Sequence, residues 1–259
     1  MKLTFIGNGN MAKALIKGML KDYEIEVLGR NATTLATLQK ALPQITTKVM
    51  DETEDITGKH IILAIKPYSL PDLAPKLKGE AEALFSVLAG TSLESLRAQI
   101  QAKKVIRTMP NLGASHLKSM TTITGDISLK ATALELFNAI GKTLWVATEN
   151  ELDIATGVAG SGPAFLALVA EALADGAVNQ GLKRADAQKL VAGLFEGFAA
   201  LIAEENPALI KDGVMSPGGT TAAGYAALER CSVRYGMMEA IAEAYAKAKA
   251  LKEKSSKYK

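Results

Sequence analysis

Over its first 150 residues the chain alternates short apolar, β-type runs with helical ones. Leu3–Ile6, Ile25–Leu28, Thr46–Val49, His60–Ile65, Leu84–Leu88 and Val105–Thr108 have the length and the branched or aromatic content of strands. Met11–Leu20, Ala32–Ala41 and Leu93–Gln101 carry apolar residues at helical spacing between them. This alternation predicts a mostly parallel sheet covered by helices on both faces, an α/β arrangement. Thr121–Thr124 and Leu144–Val146 are weaker strands that extend one edge, and Pro67 and Pro71 interrupt the pattern after the fourth strand.

Past residue 150 the β-branched runs vanish, and alanine rises from 17 in the first 150 residues to 25 in the last 109. Helical patterns at Glu151–Gly157, Ala164–Gln180, Arg184–Glu205 and Thr221–Lys254 predict an all-α second domain. Small residues let helices approach closely, and alanine on several faces predicts burial on more than one side, hence pairing with a second chain as a homodimer or a higher homo-oligomer. With no internal repeat and no low-complexity linker, the expected domains are 1–150 and 151–259, abutting directly.

A chain of 259 residues, 48% of them hydrophobic, can bury a sizeable core in each of two modest domains. Its formal net charge of +3 comes from the tail, where Lys247–Lys259 holds six lysines and one glutamate. The remainder holds 24 basic and 26 acidic residues, so no face for nucleic acid is expected and the tail reads as a solvated helix end. Cys231 is the only cysteine and His60 and His116 the only histidines, which leaves no intramolecular disulfide and argues against a metal site. No charged-then-apolar leader precedes the first strand. The most apolar helical stretches, Ala164–Val178 and Leu190–Ala203, are broken by Glu171, Asp175 and Glu196, short of the ~20 apolar residues of a bilayer span. The composition predicts a soluble, cytoplasmic protein with no membrane partner.

The first strand runs into Gly7-Asn8-Gly9-Asn10-Met11-Ala12, a G-x-G-x-x-A pattern that opens the first helix. In a dinucleotide site Gly7 makes the tight turn, Gly9 lets a pyrophosphate approach the backbone, and Ala12 packs the helix on the strand. Such a pattern alone is weak, but its place between a strand and a helix is the context that supports it, and it predicts a Rossmann domain. An NAD site usually has an acidic residue about 20 positions on, holding the ribose 2′-hydroxyl. Here the second strand ends in Leu28-Gly29-Arg30-Asn31, without a carboxylate. Arg30 suits a 2′-phosphate, so NADPH is favoured over NADH, with NADH still possible.

Ser216-Pro-Gly-Gly-Thr-Thr221 runs into the Ala-rich stretch Ala222–Cys231. The glycine pair frees the backbone to turn, hydroxyl residues suit a helix cap, and a helix start of this kind attracts a small carboxylate. Gly160-Ser-Gly-Pro-Ala164, with Ser161 placed to cap and Pro163 at a first helical position, reads equally as structural or as pocket lining. Arg107-Thr-Met-Pro-Asn111 ends the sixth strand and should lie at the sheet's carboxyl edge, where ligands of such folds bind.

Together these segments resemble the pyrroline-5-carboxylate reductase family. G-N-G-N-M-A, A-I-K-P (Ala64–Pro67), R-T-M-P-N, D-I-A-T-G-V-A-G-S-G-P-A (Asp153–Ala164) and V-M-S-P-G-G-T-T-A-A-G (Val214–Gly224) stand in the family's order and spacing across nearly the whole chain. The resemblance implies NAD(P)H-dependent reduction of Δ1-pyrroline-5-carboxylate to L-proline, the last step of proline synthesis. It implies a Rossmann domain followed by an all-α dimerisation domain that interlocks with its partner. It also implies that Ser216, Gly218, Gly219, Thr220 and Thr221 bind the substrate carboxylate, with the Thr221 hydroxyl near the ring nitrogen as the candidate catalytic group. Gly7, Asn8, Gly9, Asn10 and Met11 would hold the pyrophosphate, and Ala64, Lys66, Pro67, Ala89 and Gly90 the ribose and nicotinamide side. Glu204 falls where the family places an acidic residue close to the active site. Two positions depart from the pattern: Leu112-Gly113 replaces the usual Thr-Pro, and Asp51 stands where an asparagine near the adenosine is common.

A cyclic imine is partly protonated near neutral pH, so its reduction needs alignment more than a strong general acid. Related dehydrogenases of the β-hydroxyacid type place a lysine early in the helix after the second G-x-G segment, but Ala164-Phe-Leu-Ala-Leu168 has none. Lys66 is the nearest charged candidate, equally compatible with a structural or a cofactor role. A hydroxyacid dehydrogenase and a non-catalytic NADP sensor remain as alternatives. A sensor would have no use for a carboxylate cradle.

Overall fold

The computed structural model describes residues 1–255; of the lysine-rich tail, Lys257 and Lys259 lie outside them. The chain begins with Lys2–Ile6 (β1), Asn10–Met19 (α1), Glu24–Gly29 (β2), Ala32–Ala41 (α2) and Thr46–Val49 (β3). A short strand Glu54–Asp55 (β4) precedes His60–Leu63 (β5), Leu70–Leu73 (α3), a second short strand Leu77–Lys78 (β6) and Ala83–Ser86 (β7). Leu93–Gln99 (α4), Val105–Met109 (β8), Ser119–Gly125 (β9), Lys130–Asn138 (α5) and Gly141–Trp145 (β10) follow.

Eight strands form one sheet in the order β10-β9-β8-β7-β5-β1-β2-β3. All pairings are parallel except β8 with β9, so β9 and β10 run against the rest and extend one edge, as the weaker strand signals predicted. β4 and β6 make a separate two-stranded parallel pair. From β1 the chain proceeds to β2 and β3 on one side and then crosses to β5 on the other. That reversal is the crevice where dinucleotides bind in such sheets.

Strand alternation sorts the side chains into two cores. Leu3, Phe5, Val27, Ile62 and Phe85 face one cluster, completed by α1 and by Phe137 of α5. Ile6, Leu28, Ile61, Leu63 and Leu84 face the other, completed by Leu96 of α4. On α1 the buried residues are Ala12, Leu15, Ile16 and Met19, the stripe that a helix on a sheet requires.

The remainder is helical: Glu149–Ala155 (α6), a π turn over Thr156–Gly160, Gly162–Asn179 (α7), Arg184–Glu204 (α8), Pro207–Val214 (α9), Thr220–Arg230 (α10) and Val233–Ser255 (α11). The fold is thus a mostly parallel Rossmann domain followed by an all-α region. Two compact units emerge, Met1–Ser161 together with the chain from Glu243 onward, and Gly162–Ala242.

Several sequence expectations need correction. The single helix expected over Thr221–Lys254 is two, because Ser232 takes a left-handed conformation (φ 56°) that ends α10 at Cys231. α5 and α9 were not anticipated. The run Glu149–Asn179 is, by length and composition, long and apolar enough to cross a membrane: it contains an 18-residue window of mean hydropathy 1.5, of which 17% is buried. The helical pattern in the sequence starts only at Ala164, whereas the π turn joins α6 to α7 and lengthens the run.

Candidate active site

The glycine-rich turn follows from the backbone demands of its residues. Gly7 sits at φ 111°, and a Cβ there would collide with the Ala64 carbonyl, so only glycine allows β1 to turn this close to the loop after β5. The Gly7 amide donates to Leu28 O (2.9 Å) and the Ala64 amide to Ile6 O (2.9 Å), which holds the carboxyl ends of β1, β2 and β5 level. Gly9 is the N-cap of α1 with no side-chain capping bond, and a Cβ placed on it would meet nothing within 4 Å. No acidic residue lies in the first turn of α1. Open space in front of unsatisfied helix amides at the dipole's positive end fits a pyrophosphate.

The turn is braced to its neighbour. Asn8 Nδ2 donates to Thr34 Oγ1 (2.9 Å), and Asn31 caps α2 by accepting from the Thr34 amide (3.0 Å). Arg30 is exposed between Gly29 and Asn31, at the carboxyl end of β2. Asp51 lies just past β3 and pairs with Lys48 (3.2 Å), which also holds the buried carboxylate of Glu54 (2.8 Å). The hydrogen bonds that Lys48 donates to Glu54 and then to Asp51 raise its pKa above the usual lysine range. Lys66 and Pro67 are exposed where the chain leaves β5, Lys66 as the N-cap of a short 3-10 turn. Ala89 and Gly90 form the turn after β7, with Gly90 at φ 69°.

Asn111, at the end of β8, spends its side chain locally. Its Oδ1 accepts from the Gly113 amide (3.0 Å), and its Nδ2 donates to the Ala159 carbonyl of the π turn (2.9 Å). Leu112-Gly113, where the family pattern departs, opens a 3-10 turn over Leu112–His116. Ser161 follows the π turn, and its amide reaches back five residues to Thr156 O (2.9 Å). Pro163 is the second residue of α7.

Arg107 is the residue whose role the sequence reading missed. Its guanidinium is buried and bonded to Glu149 (2.6 Å) and Asp153 (3.0 Å), four residues apart on α6. A lone arginine inside the strand Val105–Met109, followed by a helix with carboxylates at i and i+4, was the available signal.

In the helical unit Gly218 takes φ 68° and the Gly219 amide donates to Ser216 O (3.0 Å), which closes the turn that opens α10. Contrary to expectation the cap is Gly219, without a side-chain capping bond, so the hydroxyls of Ser216, Thr220 and Thr221 are not used for capping. The first amide satisfied within the helix is that of Ala223, bonded to Gly219 O (3.2 Å). The amides of Thr220, Thr221 and Ala222 therefore point out of the helix start, where Ser216 and Thr220 are exposed and Thr221 half-buried. A Cβ on Gly219 would lie 2.5 Å from Ser216 Oγ, so this hydroxyl can sit over the helix start only beside a glycine. Glu204, the last residue of α8, is exposed in the same unit.

Residues 149–251 match the pyrroline-5-carboxylate reductase dimerisation family, and residues 2–90 match the family described as NADP oxidoreductase, coenzyme F420-dependent. A pyrroline-5-carboxylate reductase of Synechocystis is 39% identical, over 98% of this chain and 99% of its own. Among solved structures, 1-pyrroline-5-carboxylate reductase from Streptococcus pyogenes superposes with a TM-score of 0.83 at 31% identity, covering 96% of this chain and 98% of that one. The Plasmodium falciparum enzyme, with NADP bound, gives 0.76 at 25% identity, covering 97% and 98%. With these likenesses over nearly its whole length, the chain belongs to the pyrroline-5-carboxylate reductase family.

Proposed function

We propose that residues 1–150 hold a nicotinamide dinucleotide, NADPH in preference to NADH, while residues 151–259 hold the substrate and join two chains. The reaction is that of the family: reduction of Δ1-pyrroline-5-carboxylate to L-proline by hydride transfer to the cyclic imine. The observation that carries this reading is the start of α10, where three outward amides and the Ser216 hydroxyl surround a turn free of acidic residues. This is a cradle for a small carboxylate.

The bound cofactor supplies the hydride; every other task falls to the chain. Gly7, Asn8, Gly9, Asn10 and Met11 take the pyrophosphate on the backbone of the α1 start. Arg30 pairs with the 2′-phosphate, and Ala64, Lys66, Pro67, Ala89 and Gly90 line the ribose and nicotinamide side. Ser216, Gly218, Gly219, Thr220 and Thr221 hold the substrate carboxylate, and Glu204 contributes a negative charge that favours the protonated ring. With the carboxylate fixed, the Thr221 hydroxyl orients the ring nitrogen and passes it a proton through water. The protonated imine is the better hydride acceptor, so holding it in line is most of the catalysis required. In the same reading the apolar run Glu149–Asn179 is covered by a second subunit, since it falls within the region matched to dimerisation.

The test is loss of NADPH absorbance with Δ1-pyrroline-5-carboxylate, run for the wild type and for Thr221→Ala. We expect turnover that falls roughly a hundredfold in the variant, the usual scale for a positioned proton-transfer group. Equal turnover in the two proteins would remove Thr221 from the mechanism. A folded protein that binds NADPH but never oxidises it would remove the reaction.

A further inference from the structure

We infer that the last helix carries a latch for the loop between β7 and α4, with Lys252 as its positioning residue. This rests on the reading of Ala89 and Gly90 as lining the nicotinamide side. Asp153 is the centre of the arrangement. Its carboxylate is 6% exposed, with Oδ1 3.0 Å from Arg107 and Oδ2 3.3 Å from Lys252 Nζ on α11. Arg107 also holds Glu149, whose Oε1 accepts the Leu93 amide (2.9 Å) at the far end of the same loop. Ion pairs thus run from the sheet through α6 to α11, and one end of the loop is tied into them.

The other contact is steric. Gly90 takes φ 69° at the loop's tip, and a Cβ there would lie 2.9 Å from Leu251 Cβ. The residue beside Lys252 therefore rests directly on the tip of the loop. A side chain larger than hydrogen at position 90 would force the helix end away.

Lys252 is suited to hold this contact without holding up the fold. If its charge is removed, Asp153 keeps Arg107, so no buried carboxylate is left without a cation. What is lost is the tie nearest Leu251 and Gly90, while the hydrogen bond from the Tyr245 hydroxyl on the same helix to Asn150 Oδ1 (2.5 Å) remains. The loop can then leave the position in which it lines the cofactor, and the effect should fall on cofactor affinity with substrate affinity unchanged.

The full-length enzyme distinguishes these ideas through NADPH affinity measured by nucleotide fluorescence, beside KM values for NADPH and for the imine substrate. Lys252→Met should weaken NADPH binding about fivefold, the scale of a partly exposed ion pair. It should leave the melting temperature and the KM for the imine unchanged, and Lys252→Arg should restore the affinity. Ala89→Glu, at an exposed position on the loop, should weaken NADPH binding whether or not the latch exists. Normal affinity in Lys252→Met with weak binding in Ala89→Glu would overturn the latch and leave the loop's role standing. Normal affinity in Ala89→Glu would overturn the loop's role and the latch with it. A Lys252→Met protein that melts early and loses affinity for both ligands together would make Lys252 a structural residue, which also overturns the inference.

Discussion

In the proposed function Arg30 is the residue on which the choice of nicotinamide depends. It stands exposed at the carboxyl end of β2, one residue before the Asn31 cap whose partner Thr34 is bonded to Asn8 of the glycine-rich turn. A planar, permanently charged fork of N–H donors gains far more from a phosphate than from a hydroxyl. Asp51, which at first sight opposes a phosphate, is already paired with Lys48 at 3.2 Å, so its charge is partly balanced. Arg30→Ala should therefore raise the KM for NADPH about tenfold, the loss of one charge-assisted contact, and leave the KM for NADH nearly unchanged. Equal losses with both cofactors in steady-state kinetics would mean that Arg30 does not read the phosphate. Local backbone demands make some positions legible: Gly7 and Gly218 read as turn residues because their backbones take positive φ (111° and 68°), which favours glycine. Pairings such as Arg107 with Asp153, or Asn111 with the Ala159 carbonyl, join residues 46 and 48 positions apart. No local pattern specifies those partners.

At the scale of elements, α1 shows how packing overrides propensity. Gly18 lies in its last turn, where alanine would favour the helix by roughly 1 kcal/mol. A Cβ there, however, would lie 2.5 Å from Ile140 Cγ2 and 2.7 Å from the Ala139 carbonyl. The carbonyl cannot swing away as a side chain can, so α1 would have to move away from the turn between α5 and β10. Gly18→Ala should lose about 1–3 kcal/mol net, as overpacked cores do, measured by urea unfolding. A more stable variant would show that α1 is free to shift. Strand periodicity made β1, β2, β3 and β5 legible to within a residue or two, and Ala32–Ala41 was read with its observed ends. The helical half was harder to divide. An alanine-rich sequence propagates its helical pattern through Cys231 and Ser232, where the structure has a break. The cap at Gly219 was misassigned because two threonines beside it offered the more familiar capping chemistry.

The whole molecule is uneven in how it buries its apolar surface. The sheet-containing part has two cores with many fully buried side chains, whereas among the described residues α7 and α8 bury only Ala174 and Ala187. Leu168, Leu190, Leu194 and Phe198 are exposed on these helices in the single chain. An apolar surface of this extent calls for a partner, and the match of residues 149–251 to a dimerisation family names its kind. Light scattering should return a mass of two chains or a multiple of two, and a stable monomer would contradict this. Alanine content on several helix faces made that pairing readable in advance. The length of the apolar run Glu149–Asn179 was not, because the π turn that joins its halves has no strong sequence signal.

In the proposed function the glycine-rich turn and the Ser216–Thr221 turn serve one reaction. The most direct measurement is to supply NADPH carrying deuterium at C4 together with Δ1-pyrroline-5-carboxylate and examine the product by mass spectrometry and NMR. With NADPH labelled on one of the two C4 faces, each turnover should place one deuterium on C5 of L-proline, and with the other face labelled it should place none. Proline without deuterium from either labelled face, or NADPH oxidised without proline, would contradict this reading.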